Sequence, residues 1–324
     1  MTKAIVVHET GGPEVLRWED RDPGRPGPGQ ILVRQTAVGL NFIDVYFRTG
    51  VYAAPKFPYV PGGEGAGVVE AVGEGVSDIA AGDRVAYCGA SGTYAEAIVI
   101  DAAIAVPVPD AIDDATAASI MLKGMTAEYL LRRTFPVGPE TVLLFHAAAG
   151  GVGLLAGQWA KHLGATVIGT AGSPEKCELA RRHGYDHVID YSNEDFVARV
   201  REITEGRGCD VVYDSVGKDT FPASLDCLRR RGLWASFGQS SGKLPPMDVS
   251  ILSQKGSLFA TRPTLFSYNV TREDLLASAD ALFDVVSSGA VKPLIGQRFK
   301  LSDAAEAHRA LEGRRTIGAT VLEV

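Results

Sequence analysis

The chain has few features that would lock a protein together covalently or anchor it in a lipid bilayer. Its four cysteines, Cys88, Cys177, Cys209 and Cys227, form no C-x-x-C pair, so they read as reduced, mostly buried thiols rather than metal ligands or disulfides. No apolar run approaches the roughly 20 residues of a membrane span. The opening Met1-Thr2-Lys3-Ala4 runs straight into a strand-like stretch, so no leader is expected and a cytoplasmic location is. Positive charge is also short: 32 Lys and Arg face 39 Asp and Glu, a net charge of −7. A basic groove is not indicated and a nucleic-acid partner is not expected. What the chain does have is length and apolar content, 324 residues at 46% hydrophobic, enough for two domains with sizeable cores.

The stretch that organises the rest is Thr141–Gly153, TVLLFHAAAGGVG. Val142–Phe145 is an apolar run of strand type, followed by a turn of small residues. An apolar-patterned helix then begins at Gly151. Within the turn, Ala148-x-Gly150-x-x-Gly153 stands where a dinucleotide fingerprint has three glycines, with alanine at the first position. Taken alone, the glycines fit any strand–helix turn. Their place between a strand and a helix, with a further strand over 165–170, points to a nucleotide site. A pyrophosphate needs backbone N–H donors, and a helix N-terminus supplies both donors and a favourable dipole. Gly150, Gly151 and Val152 are therefore the expected pyrophosphate ligands.

The next strand tip selects the dinucleotide. An NAD site places a carboxylate there for the ribose 2′-hydroxyl. Here the tip reads Thr170-Ala171-Gly172-Ser173-Pro174-Glu175-Lys176. Glu175 falls in the first turn of the next helix, where it partners the Ser173 cap. Ser173 and Lys176 suit a 2′-phosphate, so NADP(H) is favoured, although an ordinary solvated lysine stays open for Lys176. Gly172 and Tyr191 complete that corner. Ser215, Phe237, Gly238, Gln239 and Ser240 follow the fourth and fifth strands, where ligands sit in open sheets.

Before the turn, short strands separated by glycine and proline predict a β-rich, barrel-like domain. Residues 110–133 read as a helical link. From 141 onward strands and helices alternate, which predicts a doubly wound parallel sheet with a helix over 218–229 and a strand over 233–237. The run Arg229-Arg230-Arg231 reads as a solvated helix end. Thr271-x-x-Asp274 opens a helix as a capping box, Ser302 caps another over 303–312, and 318–324 is a final strand. The C-terminal segment is expected to rejoin the first domain.

Several segments resemble the zinc-free, zeta-crystallin-like quinone oxidoreductases of the medium-chain dehydrogenase/reductase superfamily. They are GGPEVL (11–16), GLNFIDVYFRTGVY (39–52), PGGEGAGVVEAVGEGV (61–76), GDRVAY (82–87), LKGMTAEYLL (122–131), FHAAAGGVGLLAGQWAKHLGA (145–165), VVYDSVG (211–217) and SLDCLRRRGLWASFGQSSG (224–242). The resemblance implies a Rossmann NADP(H)-binding domain over 124–262, inserted in a GroES-like catalytic domain over 1–123 and 263–324. It implies an NADPH:quinone oxidoreductase acting in the cleft between the domains, and a homodimer paired through an edge near 256–260. It places Asn41, Phe42, Ile43, Asp44 and Tyr46 beside the nicotinamide, with Tyr52 joining them. Asn41, Tyr46 and Tyr52 are the candidates for orienting the acceptor or returning a proton. Thr126, Tyr129 and Arg314 match cofactor-contacting positions. His146 reads as a packing or capping residue.

The departures from the alcohol dehydrogenase branch matter equally. Asn41 and Gly63 stand where that branch has its zinc-binding Cys and His. Asp44 and Glu64 remain, without the soft or imidazole partners of a tetrahedral site, so no metal is expected. A quinone or conjugated alkene accepts hydride without a Lewis acid. An enal or enoyl-thioester reductase is thus the alternative enzyme, and a nucleotide-binding protein with an RNA role the alternative from another class.

Overall fold

The computed structural model describes residues 1–53 and 56–324. The chain divides into two compact units. One comprises Met1–Lys123, Asn269–Phe283 and Pro293–Val324, the other Gly124–Tyr268 and Asp284–Lys292.

The first unit is built on the strand Gln30–Leu40, whose alternate residues are buried. It pairs antiparallel with Glu64–Val72 and with Ala97–Asp101 on one stretch, and with Ala319–Glu323 near its end. Arg84–Cys88 and Ala105–Pro107 extend the sheet beyond Glu64–Val72, and Ile295–Lys300 closes the other side. A separate hairpin pairs Thr2–Val6 with Arg17–Arg21. One apolar core gathers Ile5, Val7, Leu40, Tyr94, Ala307 and Leu322, and another gathers Val33, Val69, Val85 and Ile100. A chain that must bury one face of each strand against such cores reads as alternating apolar and polar residues.

The second unit carries six parallel strands. Their spatial order is His187–Asp190, Thr166–Ala171, Val142–Phe145, Cys209–Asp214, Leu228–Ser236 and Phe259–Thr261. Numbered along the chain this is 3-2-1-4-5-6, the doubly wound arrangement whose ligands sit where the strand order reverses. Covered on both faces, the central strands are near-continuous apolar runs, and every residue of Cys209–Asp214 is buried. Tyr185 packs under the first turn of the unit. A Cβ at Gly157 or Gly169 would meet its ring at 2.2 Å and 2.6 Å respectively, and its hydroxyl donates to the Gly153 carbonyl at 2.7 Å.

Four sequence readings change. The helix expected over 218–229 shrinks to Ala223–Asp226, and the next strand starts at Leu228. Gly217 turns with φ 91°, and the hydroxyls of Thr220 and Ser224 turn inward to Asp214 instead of facing solvent. The basic run therefore lies in a strand. The register slips between Cys209↔Leu228 and Val211↔Leu233, Arg231 takes a left-handed φ of 59°, and Arg229 pairs with Asp210. Ser302 is not the cap of Ala304–Glu312. A short 3-10 turn, Leu301–Asp303, leads in and Asp303 occupies the cap position. The helix Phe42–Arg48 stands where only strands were expected. The capping box at Thr271 and Asp274 is present, with reciprocal hydrogen bonds of 3.1 Å and 3.4 Å to the N–H groups of Asp274 and Thr271. Among the described residues no helix is long and apolar enough to cross a membrane.

Candidate active site

In the second unit the strand Val142–Phe145 ends at His146, and the chain turns through Ala147 at φ 57°. Gly150 caps the helix Gly151–His162 without a side-chain hydrogen bond. The first-turn N–H groups of that helix have no intrahelical acceptor, which leaves them for an anion. A Cβ at Gly153 would lie 2.4 Å from the Ala147 carbonyl oxygen and 2.7 Å from that of Ala148. The glycine thus lets the helix start close against the turn. His146 is buried between Thr170 Oγ1 (2.9 Å) and Ser224 Oγ (3.0 Å), and burial pushes its pKa down. It is a packing residue of the network around Asp214, as the sequence suggests.

At the next strand tip Ser173 caps Pro174–Arg182, accepting from the Lys176 N–H at 3.3 Å. Glu175 is hydrogen-bonded to its own backbone N–H and to Ser173, which hold its carboxyl below the ordinary range. It is therefore occupied as a helix-end partner. A Cβ on Gly172 would sit 2.4 Å from the Tyr191 hydroxyl, so Tyr191, 48% exposed, stands directly over Gly172. The structure thus brings Gly172, Ser173, Lys176 and Tyr191 to one corner, and no carboxylate follows Ala171 at the strand tip.

The exits of the fourth and fifth strands also meet. A Cβ on Gly238 would lie 2.5 Å from the Ser215 carbonyl oxygen. The Ser240 N–H donates to that same oxygen at 3.1 Å, and the Phe237 N–H donates to the Asp214 carbonyl at 2.8 Å. Gln239 follows in the same turn, accepting from the Gly242 N–H at 2.9 Å. Sequence reasoning missed Arg262, whose Nη1 clamps this edge by donating to the carbonyls of Ser236 (2.7 Å) and Gly238 (3.0 Å). Tyr129, in the π-helical segment Tyr129–Thr134, is buried and stacks on Tyr268 with centroids 4.5 Å apart. Thr126 is buried one turn earlier in Asp114–Glu128.

In the first unit Asn41 precedes Phe42–Arg48 and is tied down at both ends. Its N–H donates to Asp44 Oδ2 at 2.9 Å, and its Nδ2 donates to Glu64 Oε2 at 2.7 Å. Glu64 is fully buried and also accepts from the Leu122 N–H (2.7 Å) and Lys123 Nζ (3.3 Å). Phe42 and Ile43 are half-buried on the same helix. Tyr46 and Tyr52 form an edge-on ring pair, centroids 5.1 Å apart, reinforced by the Tyr52 N–H donating to the Tyr46 carbonyl at 3.0 Å. Arg314 is exposed, just beyond the helix Ala304–Glu312, at φ 55°.

Asp44 is 3% exposed, and burial raises its carboxyl pKa to about 7 against the opposing hydrogen bonds of Asn41 and Tyr94. Its partners were not apparent in the sequence. The Tyr94 hydroxyl lies 3.0 Å from Asp44 Oδ2 and 3.1 Å from His308 Nε2, and Arg48 Nη1 reaches His308 Nδ1 at 3.1 Å. The spacing Asn41-x-x-Asp44 is the one local signal that could have announced the helix. Nothing local links residues 48, 94 and 308. Among the described residues no three His, Cys, Asp or Glu cluster as a metal site would require.

Two family models match the chain, a zinc-binding dehydrogenase model over residues 151–284 and an alcohol dehydrogenase GroES-like domain model over 27–110. The chain is 54% identical to a quinone oxidoreductase of Pseudomonas aeruginosa, over 99% of each. It is 48% identical to the crystal structure of Escherichia coli quinone oxidoreductase complexed with NADPH, covering 99% of this chain and 100% of that one at a TM-score of 0.98. It is 47% identical to a 2-haloacrylate reductase of Burkholderia, again over 99% of each. This chain belongs to the quinone oxidoreductase family of the medium-chain dehydrogenase/reductase superfamily.

Proposed function

We propose that this protein is an NADPH-dependent quinone oxidoreductase. The observation that carries the reading is its 54% and 48% end-to-end identity to proteins named quinone oxidoreductase, the second crystallised with NADPH. The local chemistry supports the cofactor. Gly150, Gly151 and Val152 offer N–H donors to the pyrophosphate, and Gly153 keeps the approach open. Ser173 and Lys176 take the 2′-phosphate, with Gly172 and Tyr191 walling that corner. Ser215 and Phe237–Ser240 line the far edge, and Thr126, Tyr129 and Arg314 complete the nucleotide contacts. When bound, NADPH supplies hydride from its nicotinamide. The chain supplies orientation and exclusion of water. Phe42, Ile43 and Asp44 flank the nicotinamide, while Asn41, Tyr46 and Tyr52 orient the acceptor's oxygen.

The four cysteines are free and buried, which supports a reducing compartment, the cytoplasm. Phe259–Thr261 is the outer strand of its sheet, with Phe259 58% exposed, which supports pairing of two copies along that edge. We read the catalytic and nucleotide-binding domains as dividing near 123 and 263; the compact units change at 123 and 268, and 284–292 belongs to the second.

Anaerobic mixing of the protein, NADPH and 1,4-benzoquinone tests the reading. NADPH oxidation well above the protein-free rate is expected, with NADH much slower, and a rate equal to background rejects it. The 47% identity to a 2-haloacrylate reductase favours a second acceptor class, conjugated alkenes beside a carbonyl. Rates on quinones, enals and 2-haloacrylates from one preparation rank the two.

A further inference from the structure

At the ends of the parallel strands a buried string of side chains runs from Thr170 through His146 and Ser224 to Asp214. Its members come from different elements. His146 follows the first parallel strand, Thr170 lies in the second, Asp214 ends the fourth, and Ser224 stands on the short helix Ala223–Asp226. The string therefore crosses the place where the strand order reverses.

Its hydrogen bonds run in one direction. The Val216 and Gly217 N–H groups donate to Asp214 Oδ1 at 2.9 Å and 3.2 Å, and the Trp234 indole N–H donates to Oδ2 at 3.3 Å. These groups can only donate, so Asp214 is an acceptor. Ser224 gives its one hydrogen to Oδ2 at 2.9 Å and must accept from His146 Nε2, 3.0 Å away. Burial, opposed in part by Asp214, pushes the His146 pKa down, so the ring carries one proton and Nδ1 is bare. Thr170 Oγ1, 2.9 Å from Nδ1, therefore donates. Removing either hydroxyl leaves a buried ring nitrogen unsatisfied.

The same residues hold backbone at the strand exits. The Thr170 carbonyl accepts from the Ala148 N–H at 2.9 Å, inside the turn that leads to Gly150. The His146 N–H donates to the Tyr213 carbonyl at 3.0 Å. The Asp214 carbonyl accepts from the N–H groups of Phe237 and Gly238 at 2.8 Å and 3.3 Å, while its carboxylate holds residues 216 and 217. The first, second, fourth and fifth exits are thus tied to one set of side chains.

We propose that His146, Thr170, Ser224 and Asp214 are positioning residues that set the spacing of the strand exits for a ligand laid across them, a pyrophosphate-linked dinucleotide. They act through the backbone they hold. This rests on the reading that NADPH lies along these exits. A dinucleotide that bridges preset exits has nothing to order when it binds. With the string cut, that ordering falls on the binding step and weakens it.

Fluorescence titration with NADPH, beside a thermal unfolding curve for each variant, tests the proposal. Thr170→Val keeps the volume and removes the hydroxyl, whereas Thr170→Ser keeps the hydroxyl and loses the methyl. The Kd for NADPH is expected to rise about 10-fold in Thr170→Val, the equivalent of one hydrogen bond, and to stay near the wild-type value in Thr170→Ser. Ser224→Ala is expected to match Thr170→Val, and the double variant to bind no more weakly than either, because a string already cut has nothing further to lose. Independent contacts would multiply to about 100-fold in the double variant and overturn the string. His146→Gln, whose amide can accept from Thr170 and donate to Ser224, is expected to keep the affinity that His146→Leu loses. Adenosine 2′,5′-bisphosphate, which reaches only the corner after Ala171, is expected to bind Ser224→Ala as tightly as wild type. A loss for this fragment equal to that for NADPH overturns the spacing role. Variants that unfold at lower temperature yet bind NADPH as wild type does overturn the proposal and leave the nucleotide reading intact. Wild-type protein without affinity for NADPH overturns both.

Discussion

The helix that begins at Gly151 and the helix that begins at Phe42 face the same physical demand and meet it with opposite means. Each exposes first-turn N–H groups that no intrahelical carbonyl can satisfy. At Gly150 the chain offers no side-chain cap, and crowding by the Ala147 and Ala148 carbonyls permits only glycine at 153. At Asn41 the chain supplies its own acceptor, Asp44, then secures both residues through Glu64 and Tyr94. The first arrangement leaves work for an incoming anion. The second spends its polar groups internally and fixes the position of one carboxyl. The two helix starts therefore differ in kind: one keeps backbone donors open for a ligand, the other closes its own with side chains.

Substitutions can break or sharpen that contrast. The largest effect is expected from Gly153→Ala, whose new methyl would lie 2.4 Å from a backbone oxygen that no rotamer change can move. NADPH affinity should drop by about 100-fold, with about 2 kcal/mol of stability lost to overpacking. Fluorescence titration and thermal unfolding read the two. Glu64→Gln should separate the units from the other side. It weakens the acceptor of Asn41, Leu122 and Lys123, costing about 2 kcal/mol in denaturant unfolding while leaving NADPH affinity within about twofold. A matching loss of nucleotide affinity would erase the distinction drawn above. Lys176→Ala comes next: about a 10-fold higher KM for NADPH, some 1.4 kcal/mol, and none for NADH. Equal changes for both nucleotides would remove the lysine from the 2′-phosphate corner. The smallest is Gly63→Ala, whose Cβ meets its nearest neighbour, the Ala90 carbonyl, at 3.4 Å. A cost under about 0.5 kcal/mol is expected from calorimetry.

The nucleotide-binding unit was largely legible in the sequence because its signals are local. The turn at 148–153, the missing carboxylate after Ala171 and the alternation of strand and helix all lie within short windows. Where tertiary contacts override the local pattern, reading failed. Thr220 and Ser224 look like ordinary helix residues until Asp214 is placed beneath them, and Arg229 looks solvated until Asp210 is across the register slip. Of the first unit's site, Asn41, Tyr46 and Tyr52 came from family resemblance. The string through Tyr94, His308 and Arg48 joins residues up to 260 positions apart, which no periodicity or spacing rule reaches.

The pairing of Gln30–Leu40 with Ala319–Glu323 has a consequence for biosynthesis. One strand leaves the ribosome early and its neighbour leaves only after all of Gly124–Tyr268 has been made. The stretch Gly124–Tyr268 emerges between them as a nearly self-sufficient unit. Domains generally fold as units during synthesis. The unit with the parallel sheet is therefore free to mature first, while the central sheet of the other waits, one neighbour short, for Ala319–Glu323 to arrive.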